Sequence, residues 1–445
     1  MARSNRKSIA LTLVAGAVAL ALALAMGCNA VLGLDEKQLA QAGADAGGDL
    51  ESDATSVEPP SACPIDESGY GDVTSEPCWT TFDVTKVNAG GGAGEGIAFD
   101  GRYMYFAPDP GSVVLRYDTT ARFTALASWS AFDVSTSLGL ARPPEISGAV
   151  FDGRFITFVP NDRNPSVLIY DTTAAFDARG AWSLYDPTIA NPKAKGFRGA
   201  TFDGQYVYFV PNENAVVLRH DTRAPPGPSS WSTFDVNVLR PDEINRFAGG
   251  GFDGRYLYLT PDLDGVVLRY DVKASFTAPS SWTTFDTATI GATTDLAMFG
   301  TAFDGRFVYL GPGIFGDSAV RYDTKAAFSA KTSWTTFDLN ELSQGFSLTG
   351  PAAFDGRYLY YPSRGQVNFK EITLLGRYDT QAPFLRASSW SKFDLAKVGA
   401  AGVGASVFDG KYVYLAPVAH STLARFEARS TRMPVTLPAH HGSFY

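Results

Sequence analysis

The chain has 445 residues, of which 45% are hydrophobic, enough for one large domain or several small ones. Its formal net charge is −9 at pH 7, and no cluster of Lys and Arg appears beyond the first seven residues. A nucleic-acid ligand requires a basic surface, so the composition excludes a nucleic-acid-binding function. With four His and three Cys, the chain also offers few candidate metal ligands or nucleophiles.

The N-terminal segment 1–27 has the form of an export signal. Basic residues at the start precede the apolar run IALTLVAGAVALALALAMG, which ends at Cys28. The residues AMGC resemble the lipobox of bacterial lipoproteins, although Ala25 stands where that family usually has Leu. The resemblance implies a lipidated Cys28 at the mature N-terminus, and Asn29 after it implies the outer membrane. An uncleaved anchor and ordinary secretion are the alternatives, and all three place the folded part outside the cytoplasm.

Residues 28–62 are rich in Ala, Gly, Asp, Glu and Ser and almost lack aromatic residues. Such a segment cannot bury enough apolar surface to offset its ordering entropy, so it is predicted to be a disordered tether. Cys63 and Cys78 follow, and in an oxidising compartment they are predicted to form a disulfide across a lead-in segment, 63–78. No further Cys or nearby His completes a ligand set, so neither a metal nor a cofactor is predicted.

From Trp79 onward the sequence is periodic. The phrase FDG recurs at intervals of 50–54 residues, beginning at Phe99, Phe151, Phe202, Phe252, Phe303, Phe354 and Phe408. All seven tryptophans stand in a second phrase of the type WTTFD: Trp79, Trp129, Trp182, Trp231, Trp282, Trp334 and Trp390. A third phrase, VVLRYDT at Val113 to Thr119, lies between the two and recurs with small changes. This self-similarity defines a repeat architecture.

Each repeat predicts four short β-strands. Asp-Gly between two apolar runs indicates a hairpin, and Pro ends the second strand because it cannot donate to a sheet ladder. VVLRYD and WTTFD supply the third and fourth strands. The second and third strands are apolar on both faces, which indicates sheets that stack on one another. The predicted fold class is all-β, a seven-bladed β-propeller of four-stranded antiparallel blades.

The two ends of the repeat array are complementary. The array begins at Trp79 with a fourth-strand phrase that has no FDG before it, and the last repeat, from Phe408, has no Trp after it. The strand Trp79 to Val84 is therefore predicted to complete the seventh blade and close the ring. The propeller is predicted to span 79–429, followed by a C-terminal tail, 430–445. An open solenoid, the alternative, would need polar caps, which the sequence lacks.

In repeat length and in the exchanged closing strand, residues 79–429 resemble the kelch and WD40-type β-propellers. The resemblance implies the architecture alone. The paired glycines of kelch repeats and the GH…WD signature of WD40 repeats are absent from the sequence. No ligand or activity of either family therefore carries over to this chain.

Residues that recur in every repeat are expected to have structural roles within the blade, such as packing or turn formation. The tryptophans are predicted to pack between blades. The Asp of each FDG and the Asp that ends six of the seven third strands form two sets, which could bind cations as rings of carboxylates. Turn capping and pairing with the third-strand Arg, such as Arg116, are favoured over a metal ring. His220 replaces the Tyr of other repeats and is predicted to take over its packing role.

The connecting loops divide between two faces. The Asp-Gly turns and the third-to-fourth connections form the hairpin face, whose sequence is nearly constant. The second-to-third and inter-blade loops form the variable face. Binding residues concentrate in loops held by a rigid scaffold, so the candidate ligand-binding residues are Glu95, Glu145, Asp162, Arg198, Glu213, Arg246, Asp262, Met298, Phe315, Phe346, Arg364 and His420. The longest intra-blade loop, between Pro362 and Leu374, is interpreted as a lid, a partner contact or a tolerated insertion.

These patterns favour a non-catalytic binding or scaffold module, anchored to the cell envelope by lipid, for a protein or glycan ligand. An enzyme needs a converging acid, base or nucleophile. The propeller has no Ser-His-Asp spacing and one loop histidine, His420, so no catalytic residue is assigned. The alternatives are a glycoside hydrolase or lyase that uses loop carboxylates, and a purely structural spacer. Two loop carboxylates about 5–10 Å apart in a deep pocket would favour the hydrolase.

Overall fold

The repeated phrases fold into seven antiparallel sheets, the blades of a propeller, which confirms the predicted fold class. The computed structural model describes residues 58–445 except 90–93, 95, 109–110, 162–164, 226, 242, 292–297, 314–317, 344–345, 347–349, 368–369, 419, 435–442 and 445. Of residues 366–367 and 443–444 it describes the backbone alone. The predicted leader, most of the tether and the lipidation candidate Cys28 lie outside the described residues. Among the residues described, no helix has the length and apolar character needed to cross a membrane.

Strand β1 (Trp79–Asp83) comes first in the chain, and four complete blades follow it. Blade 1 consists of β2 (Ile97–Phe99), β3 (Tyr103–Phe106), β4 (Val113–Asp118) and β5 (Trp129–Asp133). Blade 2 consists of β6 (Ile146–Phe151), β7 (Phe155–Pro160), β8 (Val167–Asp171) and β9 (Trp182–Tyr185). Blade 3 consists of β10 (Phe197–Phe202), β11 (Tyr206–Pro211), β12 (Val216–Asp221) and β13 (Trp231–Asp235). Blade 4 consists of β14 (Phe247–Phe252), β15 (Tyr256–Pro261), β16 (Val266–Asp271) and β17 (Trp282–Asp286).

The last three blades follow the same order, from the innermost strand to the outermost. Blade 5 consists of β18 (Met298–Phe303), β19 (Phe307–Pro312), β20 (Ser318–Asp323) and β21 (Trp334–Asp338). Blade 6 consists of β22 (Ala353–Phe354), β23 (Tyr358–Val367), β24 (Lys370–Asp379) and β25 (Trp390–Asp394). Blade 7 consists of β26 (Val403–Phe408), β27 (Tyr412–Pro417), β28 (Thr422–Glu427) and β1. Strand β29 (Ser443–Phe444) adds a fifth strand to blade 5, next to β18.

Short helices flank the outermost strands. One set of 3₁₀ helices precedes them: Glu76–Cys78, Leu126–Ser128, Arg179–Ala181, Pro228–Ser230, Pro279–Ser281, Lys331–Ser333 and Ala387–Ser389. A second set follows them: Val84–Lys86, the α-helix α1 (Val134–Leu138), Pro187–Ile189, Val236–Val238, Thr287–Ile290, Leu339–Glu341 and Leu395–Val398. The Asp that ends the outermost strand caps the second set, as when Asp83 Oδ1 accepts from Thr85 N at 3.0 Å. The same aspartate therefore ends a strand and starts a helix.

The predicted turn-capping role of the FDG aspartate is confirmed. In blade 1, Asp100 Oδ1 accepts hydrogen bonds from the backbone N–H of Arg102 at 2.8 Å and of Tyr103 at 2.6 Å. Gly101 has φ 103°, a conformation that favours glycine. Asp100 Oδ2 accepts from the hydroxyl of Tyr105 at 2.7 Å. The carboxylate is therefore satisfied within its own hairpin, as a structural group.

The prediction that the third-strand Arg pairs with the aspartate is wrong in its choice of arginine. The pairing residue is the Arg that follows FDG, since Arg102 Nη2 lies 2.8 Å from Asp118 Oδ2. Arg116 instead lies between two rings, 4.3 Å from the centroid of Tyr103 and 4.4 Å from that of Phe176 in the next blade. Spacing alone could not separate these roles, because Arg116 lies two residues before Asp118 on β4 and Arg102 lies in the turn before the neighbouring strand, β3.

The tryptophans pack between blades, as predicted. Each stacks on an aromatic ring of the preceding blade with the ring planes within 12° of parallel and the centroids 4.2–4.8 Å apart. In one such pair, Trp182 stacks on Phe132 at 4.7 Å, and its indole N–H donates to the carbonyl oxygen of Phe176 at 2.9 Å. These seven stacks form a closed ring, so blade-to-blade packing is continuous around the propeller.

The predicted ring closure is confirmed. Strand β1 pairs with β28 in antiparallel register from Trp79 opposite Phe426 to Asp83 opposite Thr422. Trp79 stacks on Phe393 of blade 6 at 4.7 Å, and Phe82 stacks on Trp129 of blade 1 at 4.8 Å. The five-residue strand thus joins three blades at once. The predicted disulfide between Cys63 and Cys78 is present and ends one residue before this strand.

The lead-in segment and the residues that precede it from Glu58 lie on the hairpin face, across blades 6, 7 and 1. Glu58 Oε1 accepts from the backbone N–H of Phe123 in blade 1 at 2.5 Å. Glu58 Oε1 lies 2.9 Å from Nη2 of Arg425, a blade 7 residue that is 2% exposed. The ring of Tyr70 packs edge-on against Tyr358 of blade 6 at 5.2 Å, and its hydroxyl accepts from Arg429 at 2.8 Å. These contacts fix the point where the chain enters the propeller on the face opposite the variable loops.

Glycines allow the innermost strands to approach one another closely around the channel. A Cβ on Gly148 would lie 2.8 Å from Cα of Gly199, and a Cβ on Gly249 would lie 2.5 Å from the backbone nitrogen of Gly300. Gly300 has φ 67° and abuts Pro351 in the same way. In blades 2, 3, 4, 5 and 7, the pairing register between the first and second strands shifts at or beside a glycine of the first strand. The innermost strands therefore approach closely because glycine has no Cβ at these positions.

His220 takes the packing role of tyrosine. Its ring stacks on Trp231 at 4.2 Å, as Tyr270 stacks on Trp282 at 4.5 Å in the next blade. Burial lowers the pKa of His220 to about 4, and the nearby Asp221 only partly opposes this shift. The unfolded state takes up a proton near pH 6.5, whereas the folded state resists protonation until the pH approaches the lowered value. This site therefore favours folding near pH 7 and loses its contribution as the pH falls.

Replacing His220 by Tyr should remove that pH dependence. In the natural protein the free energy of unfolding should fall by roughly 2 kcal/mol from this site between about pH 7 and about pH 5. The His220→Tyr variant should show a smaller decrease by about that amount, because tyrosine stays neutral over the range. Urea unfolding at the two pH values measures the difference. Equal decreases in both proteins would show that His220 is not the responsible group.

Candidate functional site

The centre of the variable face is built by the residues that enter each innermost strand and the residues that follow the Pro of each second strand. The backbone brings these two positions together, since Asp262 N donates to Arg246 O at 3.0 Å and Asn161 N donates to Glu145 O at 3.0 Å. Both positions border the channel because the innermost strands line it. Side chains at these two positions therefore surround the channel mouth.

Three predicted residues meet there in one polar cluster. Asp262 Oδ2 lies 3.0 Å from Arg246 Nη2, and Asp262 Oδ1 lies 3.9 Å from Arg198 Nη1. Asn212 donates to Asp262 Oδ2 at 3.2 Å and accepts from Arg246 at 3.3 Å. Asp262 is buried, so two arginines and an amide hold its charge in place of water. The cluster ties blades 3 and 4 together at the channel mouth.

One predicted glutamate, Glu213, borders this cluster, and a second, Glu145, lies in the equivalent region of blade 2. Glu213 Oε1 lies 3.5 Å from Arg246 Nη2 and is more exposed than Asp262. In blade 2, Glu145 Oε2 accepts a hydrogen bond from the side chain of Asn161 at 2.8 Å. Each of the three carboxylates is thus engaged by a neighbouring donor. Within the described part of the chain, no group of three or more His, Cys, Asp or Glu is placed to hold a metal ion.

A small cavity of about 30 Å³ lies at the channel mouth. Its wall includes Ser147, Arg198, Ala248 and Phe299, together with the backbone of the inner-strand glycines. The guanidinium of Arg198 lies 4.3 Å from the centroid of the Phe299 ring, which holds this arginine across the opening. Ligand pockets occupy roughly 300–1,000 Å³, so this cavity is far too small to hold a drug-sized molecule. Its wall has one charged side chain, Arg198.

Four exposed aliphatic side chains lie on the variable-face loops of blades 2 to 4. Ile189, Val238, Ile244 and Leu263 are all exposed, and we call them the aliphatic patch. Leu263 lies between two aspartates in the sequence, Asp262 and Asp264. Asp262 pairs with Arg246, and Asp264 pairs with Arg240. Ile244 lies between these two arginines, in the inter-blade loop. Ile244 and Leu263 therefore lie on two loop segments that are clamped together.

The inter-blade loop that carries Val238 and Ile244 is internally braced. Arg240 Nη2 lies 2.6 Å from Asp264 Oδ2, and Arg240 Nη1 donates to Asn245 Oδ1 at 3.2 Å. The amide of Asn245 donates to Asn237 Oδ1 at 2.9 Å and to the carbonyl oxygen of Arg240 at 2.9 Å. Asn245 is buried, so these bonds replace water on its amide group. The apolar side chains are thus presented by an ordered backbone.

Arg364 and His420 meet elsewhere on the variable face, at blades 6 and 7. Strands β23 and β24 extend the longest intra-blade loop as a hairpin paired from Tyr358 opposite Asp379 to Val367 opposite Lys370. Glu371 Oε1 lies 3.5 Å from Arg364 Nε and 3.8 Å from His420 Nε2. The insertion that the sequence singled out is therefore an extension of the sheet that contacts the next blade.

Two of the candidate residues are buried in the core. Met298 is 2% exposed and packs in the apolar cluster between blades 4 and 5. Phe346 is 1% exposed and fills the space beside Gly376, where a Cβ would lie 2.5 Å from its ring. Neither offers a surface to a ligand, because the side chains at these loop ends turn inward. Glu95, Asp162 and Phe315 lie outside the described residues.

Several residues at the mouth were not predicted from the sequence. They are the cluster residue Asn212, the bracing residues Arg240, Asn245 and Asp264, and the members of the aliphatic patch. One signal was present in the sequence: the residue after the second-strand Pro is Asp or Asn in four successive blades, at Asp109, Asn161, Asn212 and Asp262. The aliphatic patch gave no such signal, because apolar residues in these loops are as often buried as exposed.

Comparison with known proteins adds little to this assignment. No protein-family model matches the chain, and no curated protein matches it. Among solved structures, it is similar to the β-propeller domain of Myceliophteria thermophila Cps50 (Swd1), at 10% identity and a TM-score of 0.49 over 76% of this chain and 97% of that one. It is also similar to the Dos1 propeller, at 10% identity and a TM-score of 0.47 over 80% and 95% of the two chains. At these values the likeness carries no functional argument, and the seven-bladed fold rests on the sheets themselves.

Proposed function

We propose that the protein is a non-catalytic binding module, exported and lipid-anchored at Cys28 to the cell envelope, which binds a protein partner across its variable face. The observation that carries the proposal is the aliphatic patch. Monomeric proteins seldom group exposed apolar side chains unless the surface binds something. Four exposed aliphatic residues lie on the variable-face loops of blades 2 to 4. Two of them, Ile244 and Leu263, lie on loop segments that the ion pairs of Arg240 and Arg246 hold together.

The braced backbone supports a recognition role. A loop that is already ordered loses little conformational entropy when a partner binds, which favours affinity. Exposed apolar side chains together with partly buried charged groups are common in protein-binding surfaces. Aliphatic side chains fit the apolar groups of a protein better than the hydroxyl-rich surface of a glycan. A protein is therefore the favoured ligand, with a glycan as the alternative.

The entry point of the chain is compatible with binding at the variable face. Glu58 and the lead-in lie on the hairpin face. The chain between Cys28 and the propeller is therefore attached at the hairpin face, and this attachment does not cover the variable loops. The outer membrane, which the residue after Cys28 implies, is part of the same proposal.

The test compares two sets of exposed apolar residues that lie on opposite faces. The variant Val238→Glu/Ile244→Glu/Leu263→Glu changes the variable face, and the control Leu126→Glu/Leu385→Glu changes equally exposed residues of the hairpin face. Both are screened against arrays of purified envelope proteins and glycans. A protein ligand of the natural chain should bind the first variant at least about tenfold more weakly, a loss of about 1.4 kcal/mol, and the control unchanged.

Other results would overturn the proposal. Loss of binding in the hairpin-face control alone would show that the partner binds the hairpin face instead of the variable face. Binding only to glycans would replace the protein partner. Turnover of a glycan substrate that stops in Glu145→Gln or Glu213→Gln would establish the hydrolase instead.

A further inference from the structure

On the hairpin face, grooves between neighbouring blades repeat one arrangement of an arginine and two aromatic rings. Between blades 7 and 1, the guanidinium of Arg425 lies 4.0 Å from the ring centroid of Tyr412 and 4.5 Å from that of Phe123. Four other arginines lie 4.1–4.3 Å from a ring of their own blade and 4.1–4.6 Å from a ring of the next blade. We call these four the groove arginines: Arg116, Arg219, Arg269 and Arg321. Their positions are equivalent to that of Arg425.

The groove between blades 7 and 1 already contains a carboxylate of the same chain. Glu58 Oε1 lies 2.9 Å from Nη2 of Arg425 and accepts a hydrogen bond from the backbone N–H of Phe123 at 2.5 Å. One carboxylate oxygen thus meets two donors, a guanidinium from blade 7 and a backbone N–H from blade 1. Hydrogen bonds between charged groups are short and strong, which suits this pair of donors to a carboxylate.

The four other grooves present the same two donors. Among the residues described, no carboxylate forms an ion pair with a groove arginine, and none accepts the backbone N–H of the facing phenylalanine, which is Phe176, Phe276, Phe328 or Phe384. The groove arginines are half-buried, whereas Arg425 beneath Glu58 is 2% exposed. Arg269 Nη1 lies 3.4 Å from the hydroxyl of Tyr322, the same distance as between Arg425 Nη1 and the hydroxyl of Tyr117. Nη2 is therefore left to face the groove, as it does in Arg425.

Two grooves differ from this pattern. Blade 2 has Ile169 in place of the arginine, so the groove between blades 2 and 3 lacks a guanidinium. Between blades 6 and 7, Arg377 Nη1 donates to the carbonyl oxygen of Gly71 in the lead-in at 2.7 Å. The chain therefore covers two neighbouring grooves itself, and in both of them the arginine binds an oxygen of the covering polypeptide.

We infer that the four open grooves bind the carboxylate side chains of an acidic segment of a partner protein. Each groove supplies the two donors that hold Glu58 in the groove of Arg425. The aromatic rings fix each guanidinium before a ligand arrives, so binding orders little that is not already ordered. Three of the grooves are consecutive, from blade 3 to blade 6, which favours a segment with several acidic residues. The inference does not rest on the proposed function, because these grooves lie on the face opposite the variable loops.

The test measures the fluorescence anisotropy of a labelled peptide of alternating Glu and Gly residues. The natural chain should bind it at least about tenfold more tightly than a matched peptide of alternating Gln and Gly, because a neutral amide lacks the charge of the carboxylate. A groove variant should bind the acidic peptide at least about tenfold more weakly than the natural chain. Its changes are Arg116→Gln, Arg219→Gln, Arg269→Gln and Arg321→Gln.

The matched control replaces exposed arginines of the same face that already pair with aspartates. Its changes are Arg102→Gln, Arg154→Gln, Arg255→Gln and Arg306→Gln. Both variants lose the same amount of positive charge, so a general electrostatic attraction would weaken equally in both. The control should bind the acidic peptide within about twofold of the natural chain.

A second measurement does not depend on the folding of the groove variant. Phenylglyoxal modifies accessible arginines, and mass spectrometry locates the modified residues in the natural chain. The acidic peptide should slow modification of the groove arginines and leave Arg102 and Arg255 unaffected. Arg425 should react slowly in the natural chain and at least about tenfold faster in Glu58→Ala, where the peptide should protect it too.

Other results would overturn the inference. They are equal binding of the two peptides, an equal loss of binding in the two variants, protection of the exposed arginines alone, or unchanged reactivity of Arg425 in Glu58→Ala. Binding of anionic phospholipid vesicles without binding of the acidic peptide would also overturn it, because the partner would then be a membrane.

Discussion

Replacing Trp79 by Ala is expected to lower the free energy of unfolding by about 3–5 kcal/mol, the range for loss of a buried Trp. Trp79 is 7% exposed, stacks on Phe393 of blade 6 at 4.7 Å and lies 5.1 Å from the ring of Phe426 in blade 7. Its indole N–H donates to Val73 O in the lead-in at 3.1 Å. The change therefore weakens the seam between blades 6 and 7 and the attachment of the closing strand. Urea unfolding measures the loss.

The matched control is Trp282→Ala in blade 4. Trp282 is 5% exposed and stacks on Phe234 at 4.5 Å, so a similar packing loss is expected from a blade whose strands are contiguous in the chain. The two variants should differ in hydrogen exchange. In Trp79→Ala, the amides of β1 should exchange faster relative to those of the other outermost strands, whereas in Trp282→Ala they should not. A loss below about 1 kcal/mol in Trp79→Ala would contradict closure by this residue.

The variant Gly300→Ala is expected to lower the free energy of unfolding by about 2–5 kcal/mol, from two causes. The left-handed conformation at φ 67° costs an alanine about 1–2 kcal/mol. In addition, the new Cβ would lie within 3.0 Å of Pro351 N and closer still to Cα of the same proline. Displacing packed backbone adds about 1–3 kcal/mol. The innermost strands of blades 5 and 6 would have to separate.

Gly139→Ala separates these two causes. Gly139 has φ 70°, and no heavy atom lies within 4 Å of the position that a Cβ would take there. This variant should therefore carry the conformational cost of about 1–2 kcal/mol alone. Thermal or urea unfolding of both proteins measures the difference. If Gly139→Ala and Gly300→Ala are equally destabilised, close approach of the innermost strands is not what requires glycine at residue 300.

The architecture could be predicted from the sequence because each blade repeats the same local rules. Asp-Gly turns, the strand-ending Pro and the recurrent Trp each specify one part of the blade, and they agree in every copy. Ring closure followed from the ends of the array, where Trp79 supplies the strand that the repeat from Phe408 lacks. A nonlocal feature was therefore predictable because the repeats define what is missing.

The candidate site could be predicted only in part, for a physical reason. The repeat pattern predicts which loops connect which strands, but the direction of each side chain depends on packing with a neighbouring blade. Arg198, Arg246 and Asp262 converge at the channel mouth, whereas Met298 and Phe346 turn into the core. The same limit explains why the sequence predicted Arg116 as the partner of Asp118, whereas the structure pairs Asp118 with Arg102. Strand β29 had no repeat to mark it, because the tail lies beyond the periodic region.

The most direct test of the account is a cross-link across the closing seam. Thr81 and Ala424 are paired between β1 and β28, and paired Cα atoms in antiparallel strands lie within the range that a disulfide spans. In the Cys28→Ser background, Thr81→Cys/Ala424→Cys should form a disulfide within one chain, identified by mass spectrometry of the unreduced protein. Thr81→Cys/Thr284→Cys should not, because Thr284 lies in blade 4. Absence of the first cross-link, or its formation only between chains, would contradict ring closure by the N-terminal strand.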